Sequence, residues 1–251
     1  MTDFSRLNVN EVLIKDSLDE YQKSMNFFWD ELTKLNINIF IIEKIREFPF
    51  DIFCSPQNTT FFSMVIWNFF ENSVLLITKL VTDSGQDLHT LRHFKNWVLQ
   101  QIKPEYSLEY QKKLKENKFD LGVESLLKKA KDLRDFLFAH FNRDKLENIP
   151  NLNLSELTIL KDKISLLFDI LSFEAEYEML PLAYSNNVIR PKGIEYRSDI
   201  EEILESIAKN SNLINMPESL PDVWKYTKSS YGKEGINIIN KYRKKFNLPE
   251  A

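Results

Sequence analysis

The chain has 251 residues, 33 Lys and Arg against 37 Asp and Glu for a formal net charge of −4, 43% hydrophobic and 13% aromatic residues, and only 5 Gly, 9 Pro and 1 Cys. That composition excludes the collagen-like, disordered and disulfide-scaffold classes, and a chain this long buries roughly three quarters of its unfolded surface without a metal or covalent staple. Cys54 has no intrachain partner, so a reducing compartment, the cytoplasm, is expected. The opening residues read as no secretory signal, because the charged stretch Glu11 to Glu20 stands where an apolar segment would be needed. The most apolar stretch, Phe61 to Val81, is interrupted by Asn68, Glu71, Asn72 and Lys79, which would be costly at membrane depth, so no membrane span is expected.

Apolar residues recur at helical spacing between Gly and Pro punctuation, and the prediction is an all-α protein. A first helix is expected over about Asn10 to Phe48, broken near Leu35 to Ile39, where Asn36 and Asn38 sit among β-branched residues. A second runs over about Thr60 to Thr82. A third covers about Asp87 to Ile102, stopped by Pro104, and a Lys-rich piece follows from Ser107 to Lys118. The next long helix starts near Gly122 or Val123 and runs to His140, and Ser155 can cap another to about Leu180. Four long helices make a bundle over residues 1–185. After the loop-rich passage containing Arg190-Pro191-Lys192-Gly193, residues 186–251 form a C-terminal helical extension. It opens with the Ser198…Glu201 capping-box spacing and continues as two helices, Pro221 to Tyr231 and Gly235 to Phe246.

Only three histidines are available for acid–base chemistry near neutral pH. His140 ends an apolar helical run, Leu133-Arg134-Asp135-Phe136-Leu137-Phe138-Ala139-His140, and Asn142 and Arg143 follow it. His89 and His93, four apart, share a helix face that can bind zinc when a third ligand arrives, but no Cys pair, third His or intervening Glu accompanies them. A surface or capping role is therefore expected, with no metal and no cofactor. Lys112, Lys113, Lys115 and Lys118, then Lys128, Lys129, Lys131 and Arg134, and finally Lys241, Arg243, Lys244 and Lys245, are basic groups able to track a phosphate backbone. Acidic and apolar neighbours also make them ordinary solvated faces. Trp29, Trp67, Trp97 and Trp224 each sit in an apolar stretch and are expected in the core.

The Arg134-Asp135…His140 spacing resembles the motif of the HEPN superfamily: an arginine, usually followed by Asn, Asp or His, with a histidine a few residues on, near the C-terminal end of a long core helix. The long aromatic helix, its Thr82-Asp83 exit and the helix following the motif are similar to the AbiU2-like branch, over about residues 10–185. The resemblance implies a HEPN-like helical bundle and a metal-independent endoribonuclease. It also implies a homodimer that faces two motifs across one cleft, RNA as substrate, a cognate antitoxin protein as a further partner, and bacterial abortive-infection or toxin–antitoxin defence. Arg134 and His140 would be catalytic, and Asp135 would orient a partner Arg or His. Asn142, Arg143, Lys131 and Lys128 would support or contact RNA. Asn142 stands two positions after the histidine, where some members carry a tyrosine that a partner antitoxin modifies. The competing expectation is a non-catalytic helical dimerisation or interaction module, with Arg134 and Asp135 solvated and His140 stabilising a helix C-terminus.

Overall fold

The computed structural model describes residues 9–54, 59–82, 90–117, 119–136, 151–173, 198–217 and 221–250. About 87% of these are helical and none forms a strand, so the described protein is all-α. The helices are α1 (Val9–Val12), α2 (Leu18–Glu47), α3 (Phe50–Phe53), α4 (Thr59–Val81), α5 (Leu91–Gln101), α6 (Pro104–Asn117), α7 (Phe119–Arg134), α8 (Leu154–Leu171), α9 (Asp199–Lys209), α10 (Asn212–Asn215) and α11 (Pro221–Lys245). The chain divides into two compact units, one of Met1–Phe40 and Asn68–Ile189, the other of Ile41–Trp67 and Arg190–Ala251. The second unit thus draws on residues 41–67 as well as on the C-terminal part of the chain.

The first unit is organised around a large apolar cluster that includes Met25, Phe28, Leu32, Ile77, Leu80, Phe94, Val98, Leu127, Ala130, Ile164 and Phe168. Aromatic rings supply much of it: Phe28 and Tyr21 pack on Phe94 at 5.2 and 5.8 Å, and Tyr110 packs on Phe173 at 5.4 Å. The Tyr21 hydroxyl, buried in this cluster, donates to the Leu171 carbonyl at 2.9 Å, which removes the cost of burying it.

The first long helix is interrupted, but not at Leu35 to Ile39. Leu13 bridges Ile102 in extended pairing, with the Ile14 N–H on the Gln101 carbonyl and the Lys103 N–H on the Val12 carbonyl, both at 2.9 Å. Those bonds take backbone groups that a helix would otherwise use, and a short 3₁₀ turn over Lys15–Ser17 then leads into α2. At the expected break α2 continues, because the Asn36 side-chain amide donates to the Leu32 carbonyl at 2.8 Å and satisfies itself along its own helix while buried. Pro104 is the first residue of α6 rather than only a stop, since a proline there lacks an N–H that has no intrahelical partner in any case. The cap of α8 is Asn153, with Glu156 completing the box, and Ser155 donates to the Asn153 side chain instead of capping.

Within the first unit Glu31 is the one acidic side chain among the described buried residues. It accepts from Lys34 and from Lys79, each at 2.8 Å, and the Lys79 ammonium also lies 4.9 Å from the centre of the Phe27 ring. Burial pushes the Glu31 carboxyl up, but the hydrogen bonds and charges of the two lysines outweigh it and hold the carboxyl below its ordinary value. The C-terminal half of α4 is buried through Val74, Leu76, Ile77, Leu80 and Val81. By length and composition α4 is long and apolar enough to cross a membrane.

The second unit has its own core of Phe48, Ile52, Phe53, Leu204, Ala208, Ile214, Trp224 and Ile239. The Ser198–Glu201 capping box forms as the spacing predicts, and Glu201 also meets Lys44 at 3.4 Å. The two expected C-terminal helices are present within α11, which breaks at Gly232 (φ 63°, ψ −173°). Arg243, expected in a basic patch, is instead 3% exposed. It donates to the carbonyls of Ile214 (2.7 Å), Met216 (3.0 Å) and Pro249, and its guanidinium lies 5.1 Å from the centre of the Trp224 ring. Trp67, expected in the core, is 51% exposed and shares the first turns of α4 with exposed Phe61 and Met64.

Two outcomes follow for stability. Arg243→Met should cost about 3 kcal/mol, because the buried Ile214 carbonyl and the part-buried Met216 and Pro249 carbonyls lose a charged donor, read as a lowered denaturant midpoint. The Glu31 carboxyl has a folded-state pKa below its unfolded value of about 4.3. Its contribution is therefore complete above that value and is lost as the pH falls through the folded pKa. The stability gap between wild type and Glu31→Gln should accordingly narrow on acidification below about pH 4.3, measured by urea unfolding across pH.

Candidate functional site

Helix α7 buries Val123, Leu127, Ala130 and Leu133, positions spaced by four, three and three residues that form one face. It packs against α8. Beside that apolar contact, the Lys129 ammonium donates to the Glu156 carboxylate at 2.6 Å. The bond from Lys129 and a second from the Asn153 N–H hold the Glu156 carboxyl below its ordinary value. One glutamate thus caps α8 and ties α7 to it.

With the apolar face turned inward, Glu124, Lys128, Lys131 and Asp135, spaced by four, three and four, form a second row along α7. The first three face a cleft of about 700 Å³. Ser125 and Leu127 of α7 complete that wall, Val81 and Thr82 lie at the end of α4, and Thr90, Arg92 and His93 stand at the start of α5. Thr90 caps α5 through its side-chain oxygen, which accepts from the His93 N–H at 3.3 Å. The positive end of the α5 dipole is therefore turned to the same side of the unit as the basic side chains. Across the cleft, Arg92 reaches Glu124 at 3.1 Å, with the glutamate side chain 70% exposed. Neither Lys128 nor Lys131 has an ion-pair partner among the described residues, whereas Lys129 between them is taken by Glu156. The described lining carries three fixed positive charges, one imidazole and one carboxylate.

At the end of α7, Arg134 is partly buried and bound to its neighbour: Nε donates to Asp135 Oδ1 at 2.9 Å, and a terminal nitrogen lies 2.8 Å from the same oxygen. Asp135 belongs to the row of Lys128 and Lys131, so it draws the guanidinium toward that side. The helix takes a wider π turn at residues 135 and 136, a distortion frequent at functional sites. Of the residues singled out in the sequence, Arg134, Asp135, Lys128 and Lys131 therefore belong to one helix end. His140, Asn142 and Arg143 lie outside the described residues, as does His89.

Arg92, Glu124 and the cleft-facing role of His93 are the additions that sequence reasoning missed. The available signal was the Glu124–Lys128–Lys131–Asp135 spacing; nothing in the sequence pairs Arg92, 32 residues earlier, with Glu124. Lys112 pairs with Glu116 at 3.9 Å along α6, and Lys245 pairs with Glu205, so members of the other basic groups have acidic partners. The chain matches no family model, no curated protein and no solved structure.

The division of α7 into a packed face and a cleft face is testable by stability alone. Leu127→Ala should cost about 3 kcal/mol through the cavity it leaves. Lys128→Ala and Lys131→Ala should each stay within about 0.5 kcal/mol of wild type, all by denaturant unfolding.

Proposed function

We propose that the protein is a metal-independent endoribonuclease of HEPN type, acting as a cytoplasmic homodimer in bacterial abortive-infection or toxin–antitoxin defence. The observation that supports it best is the placement of Arg134 and Asp135 at the end of the same helix whose Lys128 and Lys131, without ion-pair partners among the described residues, face a cleft. A cationic row leading to an oriented guanidinium suits a phosphodiester passing toward a site of charge build-up.

In this reading His140 takes the proton of a ribose 2′-hydroxyl, the 2′-oxygen attacks phosphorus, and the P–O5′ bond breaks to leave a 2′,3′-cyclic phosphate. The departing 5′-oxygen takes a proton from a second imidazole. Arg134 stabilises the five-coordinate phosphate, and Asp135 holds the guanidinium in place through a charge-assisted hydrogen bond. One protomer supplies one His140, so the second imidazole and second arginine come from another copy of the chain. A non-catalytic interaction module is the competing reading, favoured by the exposure of Phe61 (65%), Met64 (61%) and Trp67 (51%) on α4.

The test is cleavage of total RNA by purified protein in EDTA. Wild type should yield cyclic-phosphate ends, and Arg134→Ala and His140→Ala proteins of confirmed fold should each lose at least about a hundredfold in rate. Equal cleavage by all three proteins would mark a contaminant and reject the assignment.

A further inference from the structure

The cleft between α5 and α7 has a composition that the catalytic reading does not require. Its described lining holds Arg92 on α5 and Lys128 and Lys131 on α7, with Leu127 and Val81 as apolar members. At about 700 Å³ it lies within the range of sites that enclose a nucleotide-sized ligand. Among the described residues the charges of the lining are not balanced. Arg92 is engaged by Glu124, yet Lys128 and Lys131 meet no carboxylate among the described residues. The start of α5 adds the positive end of its dipole to the side on which Arg92 and His93 stand.

We propose that this cleft binds a phosphate group, held between Arg92 and the Lys128–Lys131 pair, and that Glu124 is its built-in competitor. The ligand displaces the Glu124 carboxylate from Arg92, and the glutamate, already 70% exposed, turns to solvent at small cost. Planar guanidinium and two ammonium groups are matched to a dianionic or diester phosphate better than to a carboxylate, because three donors can serve separate oxygens. The apolar part of the lining suits the sugar or base that carries the phosphate. The phosphate belongs either to a free nucleotide or to an RNA strand, and the proposal holds whether or not Arg134 and His140 cleave RNA.

The experiment is titration calorimetry of the full-length protein with three probes: inorganic phosphate, AMP, and a ten-nucleotide 2′-O-methyl RNA that no 2′-hydroxyl attack can cleave. Wild type should bind at least one of them. Lys128→Ala/Lys131→Ala should weaken that binding by at least tenfold. Glu124→Gln should tighten it several-fold by removing the competing carboxylate, a gain that a damaged fold would not produce. Binding of AMP and phosphate alongside the strand identifies a small phosphorylated ligand. Binding of the strand alone identifies an RNA track, and the salt dependence of log K should then lose about 1.4 from its slope in the double variant. No binding of any probe by wild type, or equal affinity in wild type and both variants, would overturn the proposal. Phosphate binding without RNA cleavage in the EDTA assay would keep this site and reject the nuclease.

Discussion

Burial of Val123, Leu127, Ala130 and Leu133 sets the rotation of α7 about its own axis, and the α7 side of the candidate site follows from that constraint. Once those side chains enter the apolar cluster, the row Glu124, Lys128, Lys131 and Asp135 faces away from it, because positions three and four apart share a helix face. Lys129 locks the choice from the side by binding Glu156, the residue that also completes the cap of α8. A rotation by one residue would bury a lysine and expose a leucine, a cost of several kcal/mol. The row is therefore a by-product of core packing, and its orientation needs no ligand to hold it.

The two units distribute charge differently. In the first, Lys128 and Lys131 are left facing a cleft while the neighbouring charges are spent on structure: Lys129 on Glu156, Lys34 and Lys79 on Glu31. In the second, Arg243 is absorbed into the interior by backbone carbonyls and Trp224. Charge clusters that look alike as text thus differ in availability, and availability separates a binding surface from a brace.

Much of the fold is legible in the sequence because it rests on local physics. Helical periodicity marks α4, α7 and α8, the Ser198–Glu201 spacing marks the start of α9, and Gly232 separates two helical segments at a positive φ that a side chain would strain. What is not legible depends on long-range partners. The interruption at Leu13 is made by Ile102, and the arrest of Arg243 by carbonyls 27 and 29 residues away. The same holds for the candidate site. Arg134 and Asp135 are visible as neighbours in a motif, and Lys128 and Lys131 as a spacing. The cleft that gives those lysines a direction needs α5, and only the folded chain brings Arg92 opposite Glu124.

In the proposed nuclease, RNA lies along the outward row of α7. Photo-cross-linking of the full-length protein to 4-thiouridine RNA, with adducts mapped by mass spectrometry, tests it most directly. Adducts should fall on residues 124–135 and 90–93 and should disappear under competition with unlabelled RNA. Adducts confined to the lysines at the end of α11, or spread evenly over the surface, would contradict it.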